Sequence, residues 1–501
     1  MAKTIFKSSD KSNFILNMTE DQYSKLASFG LIGACFITCL LTIIPEVSDT
    51  TTYTAATVGL AISGVICMIL ALIAMIKKYV SGSIILPAAV FAAIIGWSTV
   101  SLYNSYDYNV GFYGFPQRGE GLLATIFYFC FFITAASIRR TKGLKTFLYA
   151  IISVGFLNAV IAIIQIFTKK LLYISYRDIS LLEMTVTPDG LSQSPIFLAM
   201  LLTLSLTAAL TVAASDENKK WRIFSVISAC LFTFVMVFTR TLMGVCGASL
   251  GILAGIAAVF ITKAPKIRLL QPAAAIAAAV IGITIAGTAM SGKRDGYHLC
   301  DGQILWSDDA YQRISASGNY NPDAVDIEDT YDVYSYLSEK TKRIIEKNKA
   351  YGTGPEQLVY PQIYTYSMLN QNAAITDLTI VNKGTFDKTY NEYLYTAATR
   401  GIPTLVFTVI LLALAVISGY RKLRRSRSEI STAFFLMTVC GILIFFIGAS
   451  NITYSPIFWA CTGACFAKLA ADNTSAKNSV TEEIAENTAP AQKNDESEES
   501  V

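Results

Sequence analysis

Apolar stretches of about 20 residues recur along this chain from end to end, and the solvent that suits them is a bilayer. A helix needs about that many apolar residues to cross a hydrocarbon core of about 30 Å, and there its backbone must satisfy its own hydrogen bonds. Twelve runs meet the requirement: 29–45, 55–76, 82–102, 121–138, 146–167, 193–213, 221–238, 242–261, 272–291, 403–420, 430–448 and 456–471. With 53% apolar residues, only 15% charged ones and a mean hydropathy of +0.48 over 501 residues, a string of soluble domains is the wrong frame. The expected fold class is an all-α polytopic membrane protein with about 12 transmembrane helices.

Sidedness follows from the short loops. Lys and Arg collect in every second one, at 77–78, 139–145, 219–222, 263–268 and 421–427, whereas the alternate short loops hold only Arg118, Lys169, Lys170, Arg177 and Arg240. Basic loops stay in the cytoplasm, so both termini are expected inside and the long segment 292–402 outside. The first 28 residues are polar and precede no cleavage pattern, so the first span is expected to remain as an anchor. The net charge of +4 is small and is accounted for by these loops, so nucleic acid is not an expected partner. Nine of the ten cysteines fall in or beside spans; Cys300 alone lies in 292–402, which leaves that segment without a disulfide partner.

The chain thus divides into a cytoplasmic segment (1–28), nine spans (29–291), one large extracytoplasmic, partly helical loop (292–402), three further spans (403–471) and an acidic cytoplasmic tail (472–501). The tail has too few aromatic and branched apolar residues to offset chain entropy, and disorder is expected there. Within the loop, "DVYSYLSEKTKRIIEKNKAYGTGPE" predicts a helix from about Asp332 to Lys349, stopped by Gly352 and kept from resuming by Pro355. Farther on, "DKTYNEYLYTAATRGIP" runs straight into the apolar "TLVFTVILLALAVI". Thr389 followed by Glu392 has the spacing of a capping box, and Arg400, Gly401 and Pro403 spell a basic last turn, a left-handed stop and a restart. A short helix over 389–400 is expected at the outer surface, turning sharply into the tenth span.

Charged residues at the ends of spans are the candidate chemistry. A charge at a membrane boundary is costly unless it is paired, snorkelling or facing an anionic ligand. Arg240 in "FTRTLMG" and Arg118 with Glu120 in "GFPQRGEGLL" are such charges; their plain readings are a snorkelling Arg240 and a self-paired Arg118 and Glu120. Two Arg converging with a helix N-terminus would suit a diphosphate, because guanidinium offers paired donors and a charge that does not titrate. Tyr390, Asn391 and Glu392 are either a solvated helix start or polar groups facing a cavity. Tyr360, Tyr364 and Tyr366 would stack on sugar faces or pack within the loop. His298, the only histidine, lies far from these motifs. The stretch 319–332 has Ala324 and Thr330 where a calcium loop needs Gly and a bidentate Glu, so it reads as a solvated acidic loop, and no metal is expected. Gly247, Gly251 and Gly255, four apart, predict close helix packing.

In order along the chain, "GFPQRGEGLL", "GLSQSPIFLA", "FTRTLMG", "KNKAYGTGPEQ", "FDKTYNEYLYTAATRGIP" and "IGASNITYSPIFWACTG" resemble the O-antigen ligase and polysaccharide polymerase family in its Gram-positive form. The resemblance covers roughly residues 110 to 470. It implies a GT-C-like, inverting, metal-independent glycosyltransferase of the bacterial cytoplasmic membrane, without a cofactor. Such an enzyme moves a glycan from an undecaprenyl-diphosphate-linked oligosaccharide to an acceptor glycan or another surface hydroxyl, amid membrane lipid and other polysaccharide-assembly proteins. The resemblance further implies that Arg118 and Arg240 hold the diphosphate, that Glu120, Asp387 and Asn391 support them, and that Tyr390 and Glu392 face the acceptor.

Tyr390 stands where the family motif, Asp-Lys-x-His-Asn-Glu-Tyr-Leu, usually has the His regarded as general base or acceptor-positioning group. Imidazole titrates near 6.5 and a phenol near 10, so the exchange removes an ordinary proton acceptor. Three readings stay open: Tyr390 only orients the acceptor, Glu392 or Asp387 is the base, or transfer activity is lost. Diphosphate departure stabilised by Arg118 and Arg240 would lessen the demand for a base. Rival functions are a polytopic transporter or flippase of lipid-linked oligosaccharides and a catalytically silent glycan-binding or scaffolding protein.

Overall fold

The computed structural model describes residues 17–44, 54–115, 118–168, 187–289, 297, 299, 330–361 and 388–469. The expectations for the acidic tail, the 319–329 stretch, His298, Tyr364, Tyr366 and Asp387 fall outside these residues. The described chain forms helices α1 (Glu20–Leu40), α2 (Ala55–Ile76), α3 (Ile85–Tyr103), α4 (Tyr108–Tyr113), α5 (Leu122–Ala136), α6 (Thr141–Thr168), α7 (Pro195–Ser215) and α8 (Lys219–Phe238). It continues as α9 (Leu242–Ile261), α10 (Leu270–Ala289), α11 (Thr330–Lys347), α12 (Glu392–Arg400), α13 (Ile402–Arg425), α14 (Glu429–Ile444) and α15 (Ser455–Ala464). No strand occurs among the described residues. Nine of these helices, α1 to α3, α6 to α10 and α13, are long and apolar enough to cross a membrane, which makes this a polytopic α-helical membrane protein. The other three expected positions hold shorter helices, α5, α14 and α15, of 15, 16 and 10 residues, of which α5 and α14 are apolar.

Local chemistry moves one boundary well away from the hydropathy edge. The run was expected to start at residue 29, yet α1 starts at Glu20. Thr19 and Gln22 form a reciprocal capping box, the Gln22 N–H donating to Thr19 Oγ1 at 3.3 Å and the Thr19 N–H to Gln22 Oε1 at 2.9 Å. Glu20 and Asp21 in that first turn then pair with Arg139, at 2.7 Å, and Arg140 just before α6.

The bundle is built around α7, every residue of which is buried from Pro195 to Ala214. Helices α6, α8, α9 and α14 pack against it. The glycines of α9 are the reason that α9 comes so close. A Cβ at Gly251 would stand 2.6 Å from Leu206 Cδ2, and Cβ atoms at Gly247 and Gly255 would strike Thr203 and Leu210, all three on α7. At the periphery, Ile276, Val280 and Ile281 of α10 and Val406, Val409 and Ile410 of α13 are exposed, as side chains facing lipid would be.

The polar segment between α10 and α13 carries α11 and α12. Helix α11 begins two residues before the expected Asp332, and Val333, Leu337 and Ile344 on it share a small core with Leu358, Tyr395 and Ala398. That core seats α12 at the end of the bundle where α5 and α7 begin and α3, α8 and α14 end.

Candidate functional site

Helix α12 is fastened at both ends. Its start differs from the expected capping box: Asn391 is the N-cap, its Oδ1 accepting the Tyr393 and Leu394 N–H groups at 3.1 Å each, and Glu392 is the first helical residue. The Thr389 hydroxyl is buried and has no hydrogen-bond partner among the described residues. Asn therefore takes the role assigned to Thr389, because it lies one residue before the first helical position. The end matches expectation. Gly401 has φ 83° and ψ 162°, a conformation open only to glycine, and Pro403 stands in the first turn of α13. The Gly354 and Thr353 N–H groups donate to the Thr399 and Ala398 carbonyls, each at 2.9 Å, and close the last turn.

Beside α12 lies a buried ion pair that joins two distant motifs. Lys388 donates through Nζ to Glu120 Oε2 and, at 2.6 Å, to the Ser450 carbonyl, while the Tyr128 hydroxyl donates to Glu120 Oε1 at 2.9 Å. Both charged residues are 3% exposed. The Lys388 ammonium also stands 5.7 Å from the centre of the Phe197 ring and 5.5 Å from that of Tyr395. Arg118 lies against the same Phe197 ring, at 5.7 Å, and Arg400 donates to the Glu120 carbonyl at 3.4 Å. Lys388 thus pairs with the Glu120 carboxylate, Arg400 reaches the Glu120 backbone carbonyl, and Arg118 shares the Phe197 ring with Lys388.

Glu392 belongs to this group. Its Oε2 accepts the Ser450 N–H at 2.7 Å and its Oε1 the Thr396 hydroxyl at 3.2 Å, so the backbone of Ser450, bonded at its N–H by Glu392 and at its carbonyl by Lys388, joins the two side chains. Burial raises its carboxyl above the ordinary value, Glu120 adds to the rise, and the Ser450 N–H, Lys388 and Arg400 oppose it. Among the described residues each carboxylate oxygen of Glu392 accepts one hydrogen bond, and a carboxylate with that occupancy can take up a proton. The Tyr395 phenol is pushed well up by burial and then by the charges of Glu356, Glu120 and Glu392.

The predicted residues fare unequally. Glu120 is not paired with Arg118 but with Lys388, 268 residues later, and Arg118 takes the Phe197 ring instead. Asn391 serves as a cap. Tyr390 is partly buried, its ring 5.7 Å from that of Tyr334 on α11. Arg240 is buried at 6% exposure with φ 50°, two residues past α8. Because α8 returns along α7, Arg240 lies at the same end as Phe197. Tyr360 stacks against Tyr106 and Phe115. Among the described residues no group of His, Cys, Asp or Glu could hold a metal.

No sequence signal marks Lys388, Glu356 or Tyr395 for the site, and Arg400 is marked only as the basic last turn of α12. Lys388 and Glu356 do lie inside motifs quoted above, and a charge in so apolar a chain calls for a partner, but its spacing does not say which one. No family model and no curated protein matches this chain, so the likeness to O-antigen ligases and polymerases rests on its motifs alone.

Proposed function

We propose that this chain is a multi-pass glycosyltransferase of the bacterial cytoplasmic membrane, an O-antigen ligase-like polymerase or ligase. It transfers a glycan from an undecaprenyl-diphosphate-linked donor to an acceptor hydroxyl on the outer face. On this reading α5, α14 and α15 complete twelve spans, both termini lie inside, and α11 and α12 lie outside. The observation that carries it is that Lys388 and Arg400 bond Glu120, Arg118 and Lys388 share the Phe197 ring, and the Glu392 carboxyl is joined to Lys388 through Ser450, at one end of an apolar bundle. A cationic end with a proton acceptor is what this reaction requires.

In the step proposed, the acceptor oxygen attacks the anomeric carbon and its proton passes to Glu392. The bond from that carbon to the phosphate oxygen breaks, and undecaprenyl diphosphate leaves with the electron pair. Arg118 and Arg240, with Arg400 nearby, offset the charge that develops on it. Glu392 suits the proton better than Tyr390, since burial raises its carboxyl above the ordinary value and so makes it a stronger base, whereas a phenol is an acceptor only near pH 10. One observation favours a silent, glycan-binding protein instead: Asn391 and Glu392 both have local structural bonds.

The test is transfer from a lipid-linked donor by the reconstituted protein. Tyr390→Phe is expected to keep most of the rate, and Glu392→Gln to lose about 10²-fold or more. Loss in Tyr390→Phe with an active Glu392→Gln would return the role to the tyrosine. No transfer by the unaltered chain, with repeat units trapped inside cells that lack it, would favour a flippase.

A further inference from the structure

Residues 352–357, "GTGPEQ", touch both halves of the proposed site. One side of the segment closes the end of α12 through the Thr353 and Gly354 N–H groups. On the other side two consecutive side chains grip the loop that runs from α3 through α4 to α5. Gln357 Oε1 accepts the Tyr106 and Asp107 N–H groups at 2.9 and 3.1 Å, and its Nε2 donates to the Asp107 carbonyl. Glu356 Oε2 accepts the Phe115 and Glu120 N–H groups at 2.8 and 3.1 Å. The two clamps therefore bracket α4, and the second fixes the turn that bears Arg118 and Glu120.

The Glu356 clamp is costly to build, which argues that its geometry matters. Glu356 has φ 60°, an uncommon conformation for a residue with a side chain. It is 2% exposed, and its Oε1 has no hydrogen-bond partner among the described residues. A Cβ at Gly114 would strike Glu356 Oε2, so the turn must use glycine there, and Gly114 itself has φ 89°. A carboxyl needed only for packing would be replaced at lower cost by an apolar side chain.

We infer that Glu356 and Gln357 are positioning residues of the site, holding the Arg118–Glu120 turn in register with α12 so that the diphosphate-facing and acceptor-facing groups meet. This rests on the glycosyltransferase reading for what the site binds, but the clamp is testable without it. Amide hydrogen exchange in nanodiscs reads the clamp directly. Glu356→Ala should speed exchange at Phe115 and Glu120 by about tenfold or more, Gln357→Ala should do so at Tyr106 and Asp107, and Glu356→Gln, whose amide oxygen accepts the same two bonds, should preserve protection. In parallel, Glu356→Ala should weaken binding of undecaprenyl diphosphate about tenfold, with Glu356→Gln restoring it.

Unchanged exchange in both alanine variants overturns the clamp. Faster exchange with unchanged undecaprenyl diphosphate binding overturns the positioning role. An unaltered protein that neither binds undecaprenyl diphosphate nor transfers glycan sinks the functional reading, and the positioning role with it; exchange that still responds to Glu356→Ala identifies that failure as one of function and not of geometry.

Discussion

Replacing Lys388 by Met tests the buried ion pair most directly. Met keeps much of the apolar length that lies against Phe197 and Tyr395 but removes the charge and its donors. The Glu120 carboxylate would be left at 3% exposure with the Tyr128 hydroxyl as its remaining side-chain donor among the described residues. An uncompensated charge in such a place costs about 3–5 kcal/mol. Glu120→Gln leaves Lys388 with the Ser450 carbonyl and two ring faces, a softer loss of about 2–3 kcal/mol. The double variant buries no charge at either position and should be less destabilised than the two losses added, with a coupling of about 2–3 kcal/mol. Unfolding in mixed micelles with increasing SDS, followed by tryptophan fluorescence, would measure all four proteins. Additivity within about 0.5 kcal/mol, or a loss below about 1 kcal/mol in Lys388→Met alone, would mean that the two groups do not depend on each other and would refute the reasoning.

Glu356 should make stability fall with rising pH. Burial raises its carboxyl to about 8, with Glu120 adding to the rise and Lys388 and the two backbone N–H groups opposing it. The folded state therefore holds the proton that the unfolded chain loses near pH 4.3. The stabilisation is complete below that value and disappears as pH climbs through about 8, at up to about 1.4 kcal/mol per unit between. Glu356→Gln should remove that slope, and an identical slope in both proteins would count against a protonated Glu356. Gly401→Ala should cost at least about 1–2 kcal/mol, since its φ is 83° and the new Cβ would overlap the Ala350 carbonyl; a normal melting temperature would show that the turn relaxes freely. Gly251→Leu should separate α9 from α7 and lower the yield of monodisperse protein in detergent, whereas the lipid-facing Val409→Leu should not.

What could be read from the chain before folding was whatever a few neighbouring residues encode. Apolar run length marks the spans because the bilayer core has one thickness, and the nine long apolar helices stand where such runs do. Gly401 and Pro403 mark the turn into α13 because only glycine adopts that φ and proline suits the first turn of a helix. The glycine spacing of α9 likewise implied a close neighbour. Where two local signals competed, as with Thr389 and Asn391 at the start of α12, sequence chose the wrong one, since both residue types cap helices and only the path of the chain selects between them.

The site itself was decided by tertiary structure. That Glu120 answers Lys388 and not Arg118, that Glu356 grips a turn 236 to 241 residues away, and that α7 and not α9 is the buried centre depend on how the helices are threaded together. The physical reason is that a buried charge demands a partner but does not name it. In a bundle where the ends of several helices meet, every charged residue at that end is a candidate, and proximity is fixed only when the packing of the apolar faces is complete.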